Sequence, residues 1–558
     1  VRKLFLGVLF LLLVAFGLRF WRLDKSPASL YVDEVDLGYQ ARSLLATGKD
    51  YRGGEGLVIV KSFNADRLPM SVWGAMLSTK FFADPFYQVR GGSALVGVIV
   101  VLTAAVLVWY WSRNSFLVLV TTFVFAVSPW MIQFSRIGFE GMYEVLMVLL
   151  VFVGWQLYLS KRDWGLLVFV MSLGLSLYTY RSMSLLVWVL VFVFLLIYRK
   201  DFLKIGWKKI VVGTIIFLLL AVPHYWKTVL KPSDELRINQ ISIFSDKLIP
   251  IKVIRNRELA SGDYESDQIG RSATLWSKVF YNKPISYLDA LTNNYLKAWS
   301  NEFLFVSGDP NPRHAPGGMG MLYAIDVIGL FAGLWYFVQN RKDKFLQSIA
   351  AALLLAPFGS IITEGGGTHA HRLLVFGVLL LLVVSIGWWQ IVSQMILWRW
   401  PLIVLYVFSV CFYIVKYQVN YPYETFRSFG YGYKEMSHEV KKIESSFEKI
   451  EFTQSMDPPI FYYLFWNNVA PDRVIAYGTN FSDSTIKNQE LDKYKALEWP
   501  EGIKFAPDLL QKNTLYVLTQ KELPFDLRDE KMTPKGIKVW KTILYPDGTP
   551  EFYLISRD

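Results

Sequence analysis

Apolar residues along this chain gather in long blocks. Leu4 to Phe20, Ala94 to Trp111, Phe116 to Met131 and Leu185 to Tyr198 are nearly unbroken runs. About 20 apolar residues rising ~1.5 Å each cross a hydrocarbon layer of roughly 30 Å. A backbone facing lipid must satisfy its own hydrogen bonds, so the runs are predicted to be helices. About eleven spans follow: Leu4–Phe20, Val89–Trp111, Phe116–Gln133, Gly141–Leu159, Leu166–Tyr180, Leu185–Tyr198, Ile210–Trp226, Met321–Gln339, Phe345–Ile362, Leu373–Ile396 and Leu402–Val419. Pro129 interrupts the end of the third, and Tyr178 to Arg181 makes the end of the fifth polar.

The polar connections are not alike. Arg2 and Lys3, Arg113, Lys161 with Arg162, Arg199 with Lys200, Lys204, Lys208 and Lys209, Arg341 with Lys342 and Lys344, and Arg399 fall in alternate short segments. Such segments are expected on the cytoplasmic side. The long loops 22–88 and 227–320 then face outward, as does the tail. The N-terminus is expected inside, in a multi-pass protein of the cell membrane. The first block reads as a span and not a cleaved signal peptide, because no small-residue cleavage site follows it and Arg19, Trp21 and Arg22 do.

Two domains are expected, a membrane domain at 1–419 and a small α/β domain at 420–558. In the tail, Tyr433 to Ile450 reads as an amphipathic helix with Met436, Val440, Ile443 and Phe447 on one face. Short apolar runs at Ile460–Phe465, Val474–Tyr477, Thr514–Leu518, Ile537–Leu544 and Phe552–Ile555 read as strands between turns such as Pro546-Asp547-Gly548.

Composition agrees with the blocks: 53% of the 558 residues are hydrophobic and only 19% charged, against about a quarter charged in soluble domains. The net charge of +12 reflects the basic short connections. No basic stretch with interleaved aromatics occurs in a soluble segment, so no nucleic-acid partner is expected. Cys411 is alone, inside the last block, which leaves neither a disulfide framework nor a cysteine metal site.

Ionisable residues close to a membrane surface are candidates for function. The first loop opens with Asp33, Glu34 and Asp36, at the start of a short interfacial helix that Thr47-Gly48 ends. Asp33 also suits an N-cap, and Asp36 suits the helix dipole. Phe63 to Pro69 carries Asp66 and Arg67 into a second interfacial helix, Met70 to Phe82. Arg67 there is placed to meet a lipid phosphate or, more simply, head groups.

Ser135-Arg136 with Glu140 and Glu144 forms another group, whose plain reading is an Arg136–Glu140 ion pair. Tyr178 to Arg181 suits a sugar or phosphate as well as an aromatic belt. Ser307 to His314 is a compact turn bearing Asp309, Arg313 and His314. Thr363 to Arg372 sets His369, His371 and Arg372 beside three glycines that permit close approach of a ligand. Phosphate contacts suit this loop better than a zinc site. No cofactor is expected, although a divalent metal is compatible with the residues.

These motifs, in this order, resemble the GT-C superfamily of glycosyltransferases, in particular bacterial relatives of protein O-mannosyltransferases and of the aminoarabinose transferase of lipid A (glycosyltransferase family 39-like). The residues that carry the resemblance are Tyr31-Val32-Asp33-Glu34 with Gly38-Tyr39-Gln40, Asp66-Arg67-Leu68-Pro69, Ser128-Pro129-Trp130 with Phe134-Ser135-Arg136 and Glu140, Gly174 to Arg181, Gly308-Asp309 with Arg313-His314, and His371-Arg372. It covers the membrane part and only loosely the tail.

The resemblance implies a GT-C-type bundle, all-α and polytopic, and transfer of a sugar from a polyprenyl-phosphate donor to an acceptor hydroxyl on the extracytoplasmic side, with inversion. It implies Asp33 as base, Glu34 as its assistant, and Arg67, His371 and Arg372 as donor-phosphate contacts. Asp66, Arg136, Glu140, Tyr180, Arg181, Asp309, Arg313 and His314 complete the implied donor and sugar site. Membrane lipids and an acceptor protein, lipid or glycan are the implied partners. Arg67-Leu68-Pro69 departs from the Lys-Pro-Pro of lipid A enzymes, which keeps the charge and leaves the acceptor class open. A ligase or polymerase of lipid-linked glycans shares the architecture. A transporter would place charges at mid-membrane in two related halves, and a receptor would use the tail as its sensor.

Overall fold

A computed structural model of the chain describes residues 2–62, 66–230, 241–261, 274–395, 397–455, 457–477, 490–497, 505–529 and 531–558. The Phe63 to Ala65 part of the first-loop motif, and 231–240 and 262–273 of the second long loop, lie outside them.

Among the described residues, eight helices are long and apolar enough to cross a membrane: Arg2–Phe20, Pro85–Ser112, Gly141–Leu159, Met183–Phe202, Trp207–Leu230, Lys344–Ile361, Leu374–Gln394 and Arg399–Phe429. A ninth is the pair Ser115–Val127 and Pro129–Ser135, bent by 54°. Pro129 causes the break, since a residue before proline is pushed out of the helical region, and Ser128 has ψ 128°. The other two expected spans are the helices Trp164–Ser176 and Asp326–Gln339, of 13 and 14 residues. At ~1.5 Å per residue these are about 20 Å long, short of the hydrocarbon thickness. Every expected span thus contains a helix, but eight or nine, and not eleven, meet the length.

The chain forms two compact units. The first comprises Val1–Leu12, Val100–Met131 and Glu144–Val410, and the second Leu13–Ile99, Ile132–Tyr143 and Cys411–Asp558. The second unit therefore joins the tail to the first long loop, where the sequence suggests a boundary at 419.

In the first unit, Asp326–Gln339 crosses Leu374–Gln394 at glycines. A Cβ on Gly333 or Gly387 would strike the backbone of Val383 or Gly329. Small residues let apolar helices approach closely where lipid offers no hydrophobic driving force. Trp130 is fully buried, lies against Gly377 and donates from Nε1 to the Ala370 carbonyl at 3.2 Å.

In the second unit the tail holds a six-stranded sheet. Its strands are β1 (Lys449–Phe452), β2 (Glu490–Leu491), β3 (Tyr494–Ala496), β4 (Thr514–Thr519), β5 (Ile537–Leu544) and β6 (Pro550–Arg557), in the order β2-β3-β1-β4-β6-β5. β1 runs parallel to β3 and β4, whereas β6 is antiparallel to β4 and β5. Tyr516, Leu518, Tyr553 and Ile555 form part of its core.

The amphipathic helix is shorter than the sequence suggests. It ends at Ile443, and Lys449 and Ile450 already belong to β1. Two of the expected strands are helices, Pro459–Trp466 and Pro471–Tyr477. In the first, Pro459 occupies the opening turn, where a missing N–H costs nothing, and all eight residues are buried. A continuous apolar run has no periodicity with which to tell a buried helix from a buried strand.

Candidate active site

The helix Val32–Thr47 positions the acidic residues of the first loop. Its N-cap is Tyr31, so Asp33 and Glu34 lie in the first turn, and Gly48 ends it at φ +71°. Asp33 and Asp36 share a face, one turn apart. Facing them is Arg67, whose backbone forms an antiparallel bridge with Val60, N to O at 2.9 and 2.8 Å. Pro69 then opens the helix Pro69–Phe81, as the sequence suggests.

Arg67 is the hub. Its Nε donates to Asp36 Oδ2 at 2.6 Å, Nη1 to Glu140 Oε1 at 2.9 Å, and Nη2 to the Asp33 carbonyl at 2.7 Å. The Asp33 carboxylate stands 3.6 Å from Nη2. Asp36 is fully buried and also accepts from Tyr51 Oη at 2.8 Å and Ser62 Oγ at 3.0 Å.

Burial raises the Asp36 carboxyl above its ordinary range, and Arg67 opposes that rise. Burial raises Glu140 likewise against the pull of Arg67, with Asp33 and Asp36 adding to the rise. For Arg67, burial works against the charge, but Asp36, Glu140 and Asp33 outweigh it and hold the guanidinium protonated. Asp33 has the most accessible side chain of the three carboxylates, 40% exposed against 14% for Glu140 and 0% for Asp36. Asp66, next to the hub, is buried.

Two expected site residues have structural duties instead. Glu34 is fully buried in a two-pronged pair with Arg90, Oε1 to Nε at 2.7 Å and Oε2 to Nη2 at 2.8 Å. Its oxygens also accept from the backbone N–H groups of Gly138 and Tyr31. Both oxygens of the Glu34 carboxylate are thus engaged. Arg136, expected at the donor, instead donates to the carbonyls of Leu18 at 2.8 Å, Arg19 at 3.2 Å, Arg22 at 3.2 Å and Ser26 at 2.8 Å. Leu18 and Arg19 lie in the last turn of the first helix, where carbonyls lack intrahelical donors, and Arg22 and Ser26 lie in the turn that follows. The simple Arg136–Glu140 pair does not form, because Glu140 belongs to Arg67.

Arg90 escapes a reading of the sequence that treats Val89 to Trp111 as uniformly apolar. It reaches the carbonyls of Leu23 at 3.0 Å, Pro27 at 3.1 Å and also Ser29, besides Glu34. A cation inside an apolar block is itself a signal. Asp50 is also missed. Buried, it accepts from the N–H groups of Arg52, Gly54 and Lys61 and so shapes the loop that carries Ser62.

The first unit gathers the remaining residues. Asp309 Oδ2 meets His314 Nδ1 at 2.7 Å and accepts from the Ala370 N–H at 2.7 Å, while Oδ1 accepts from Asn311 N at 2.8 Å. The His314 ring lies 4.8 Å from His369 and 6.3 Å from His371, and His371 lies 4.5 Å from Tyr180. Arg372 Nη1 donates to Thr363 Oγ1 at 2.6 Å. Burial pushes the Asp309 carboxyl up, but His314 together with the Asn311 and Ala370 N–H groups outweighs it and lowers the group, whereas burial, then Arg372, drive His369 down to about 3. Arg181 is exposed and Arg313 half-buried. Glu144 accepts from Ser182 Oγ at 2.6 Å and is fully buried. The loop Thr363 to Arg372 is pinned by Asn294, whose Nδ2 donates to the carbonyls of Ile361 and Thr363.

No family model matches the chain, and neither does any curated protein sequence. Solved structures do. The crystal structure of ArnT from Cupriavidus metallidurans bound to undecaprenyl phosphate aligns with TM-score 0.56 at 11% identity, over 98% of this chain and 97% of that one. The apo oligosaccharyltransferase of Archaeoglobus fulgidus aligns with TM-score 0.46 at 11% identity, over 83% of this chain and 63% of that one. The long apolar helices, the small tail sheet and the end-to-end alignment with ArnT identify this chain as having the GT-C fold.

Proposed function

We propose that the protein is a membrane glycosyltransferase that moves a sugar from a polyprenyl-phosphate donor to an acceptor hydroxyl on the extracytoplasmic side, inverting the anomeric centre. The observation that carries this reading is Asp33: a solvent-accessible carboxylate at the head of a helix, held from behind by Arg67. The ArnT structure that shares the fold holds undecaprenyl phosphate, a polyprenyl phosphate.

A hydroxyl acceptor has a high pKa, so a positioned carboxylate helps remove its proton as the new bond forms. A polyprenyl phosphate leaves as an anion and needs its charge neutralised more than it needs a proton. Arg372, Arg313, Arg181 and His371 of the first unit have the chemistry for that task. Arg67 is matched by three carboxylates, and its role in this reading is to hold Asp33 and Glu140 in place. Single displacement turns a β-linked donor into an α-linked product, or the reverse. The basic short connections support an inside N-terminus and an outward tail.

The test is transfer in vitro from a panel of polyprenyl-phosphate sugars. Turnover by the natural sequence and its loss in Asp33→Asn support the reading, whereas equal turnover by both removes the assignment of Asp33.

A further inference from the structure

We propose that Asp309, His314 and His369 form a binding site for a divalent transition-metal ion of the zinc class. One ligand atom from each lies within 4.8 Å of the other two. Zinc bonds of about 2.1 Å place tetrahedral donors ~3.4 Å apart, so the widest pair of ligand atoms has only about 1.4 Å to close.

The two loops that supply the ligands are already tied together. Ala370 N–H donates to Asp309 Oδ2 at 2.7 Å and Asn311 N–H to Oδ1 at 2.8 Å. Such outer contacts aim a ligating carboxylate. Gly308, at φ +71°, fixes the turn that brings Asp309 toward His314, and a Cβ there would meet the Met319 carbonyl at 2.5 Å. Two imidazoles with one carboxylate favour zinc-like ions over calcium or magnesium, which prefer oxygen ligands.

Asp309 and His314 are 7% and 4% exposed, while His369 is partly exposed. Three protein ligands leave a fourth position for water or an anion. The site stands independently of the transfer reading, because it concerns binding alone.

The test uses the full chain in detergent, stripped by chelator, equilibrated with micromolar Zn²⁺ and analysed for bound metal. One Zn²⁺ per chain is expected, with affinity reduced at least ~tenfold in Asp309→Asn and His369→Ala. His438→Ala, at an exposed tail position, should bind as the natural sequence does. Zinc X-ray absorption on the unsubstituted chain counts imidazole ligands without relying on any variant to fold, and two are expected. A chain that takes up no zinc, spectra without two imidazoles, or unchanged binding in folded His369→Ala overturns the proposal.

Discussion

Arg67 Nε lies 2.6 Å from Asp36 Oδ2, and the Asp36 side chain of that pair has no solvent exposure. The two residues are 31 positions apart in sequence. Their pairing fixes the loop that follows Val60 against the helix that bears Asp33, so the accessible acid inherits its position from a buried one.

Asp33→Asn and Asp36→Asn should therefore fail in different ways. Asp33 is exposed enough that its loss should leave thermal unfolding in detergent nearly unchanged while transfer falls by about 10²–10⁴-fold. Asp36→Asn leaves Arg67 short of a buried partner and should cost about 3–5 kcal/mol, read as a lowered melting temperature. Equal melting losses in both variants would contradict the division.

Arg90→Met alone should destabilise by a similar ~3–5 kcal/mol, because Glu34 remains buried without its cation. Adding Glu34→Gln should return part of that stability. A double-mutant cycle on unfolding free energy measures the coupling, and strict additivity would show that the pair is not a unit.

Gly38 faces Phe465 and Val89. A Cβ there would lie 2.5 Å from Phe465 Cε2 and 2.7 Å from Val89 Cγ2. Gly38→Val should cost about 1–3 kcal/mol through overpacking, and Phe465→Leu in the same chain should relieve part of it. Melting curves of the two variants decide the point.

Glu551 on β6 predicts a pH dependence. Its carboxyl accepts from the Gly432 N–H at 2.8 Å, and burial pushes it up to about 8. The folded form then holds a proton that the unfolded chain releases near its ordinary value of 4.5. Stability from this group is full below that value and falls as pH rises toward 8, by at most ~1.4 kcal/mol per pH unit. Unfolding measured between pH 5 and about 8 should show this slope in the natural sequence and a flatter one in Glu551→Gln.

Much of the fold was legible because lipid leaves a backbone so few choices. Every expected span contains a helix, and the helix after Tyr31 ends at Gly48 as its residues suggest. What hid from the sequence was pairing at a distance. Asp36 reads locally as an acid suited to a helix N-terminus, and nothing near it announces Arg67. Arg136 reads locally as an ion-pair partner of Glu140 and by resemblance as a donor contact, yet it serves four carbonyls between Leu18 and Ser26. Ile460–Phe465 reads as a strand because a continuous apolar run, wholly buried in the helix Pro459–Trp466, carries no periodicity that marks a helix.

The tail touches the acid-bearing helix through more than Gly38. Arg42 donates to the Phe465 carbonyl at 2.7 Å and stacks over that ring, and Tyr39 donates to the Val469 carbonyl at 3.1 Å. Truncation after the last membrane helix would thus strip Gly38, Tyr39 and Arg42 of their packing and leave the Arg42 and Tyr39 donors without their carbonyl partners. Efforts to shrink this protein to its bilayer portion should be expected to yield an aggregating fragment, and the smallest piece worth purifying is the whole polypeptide.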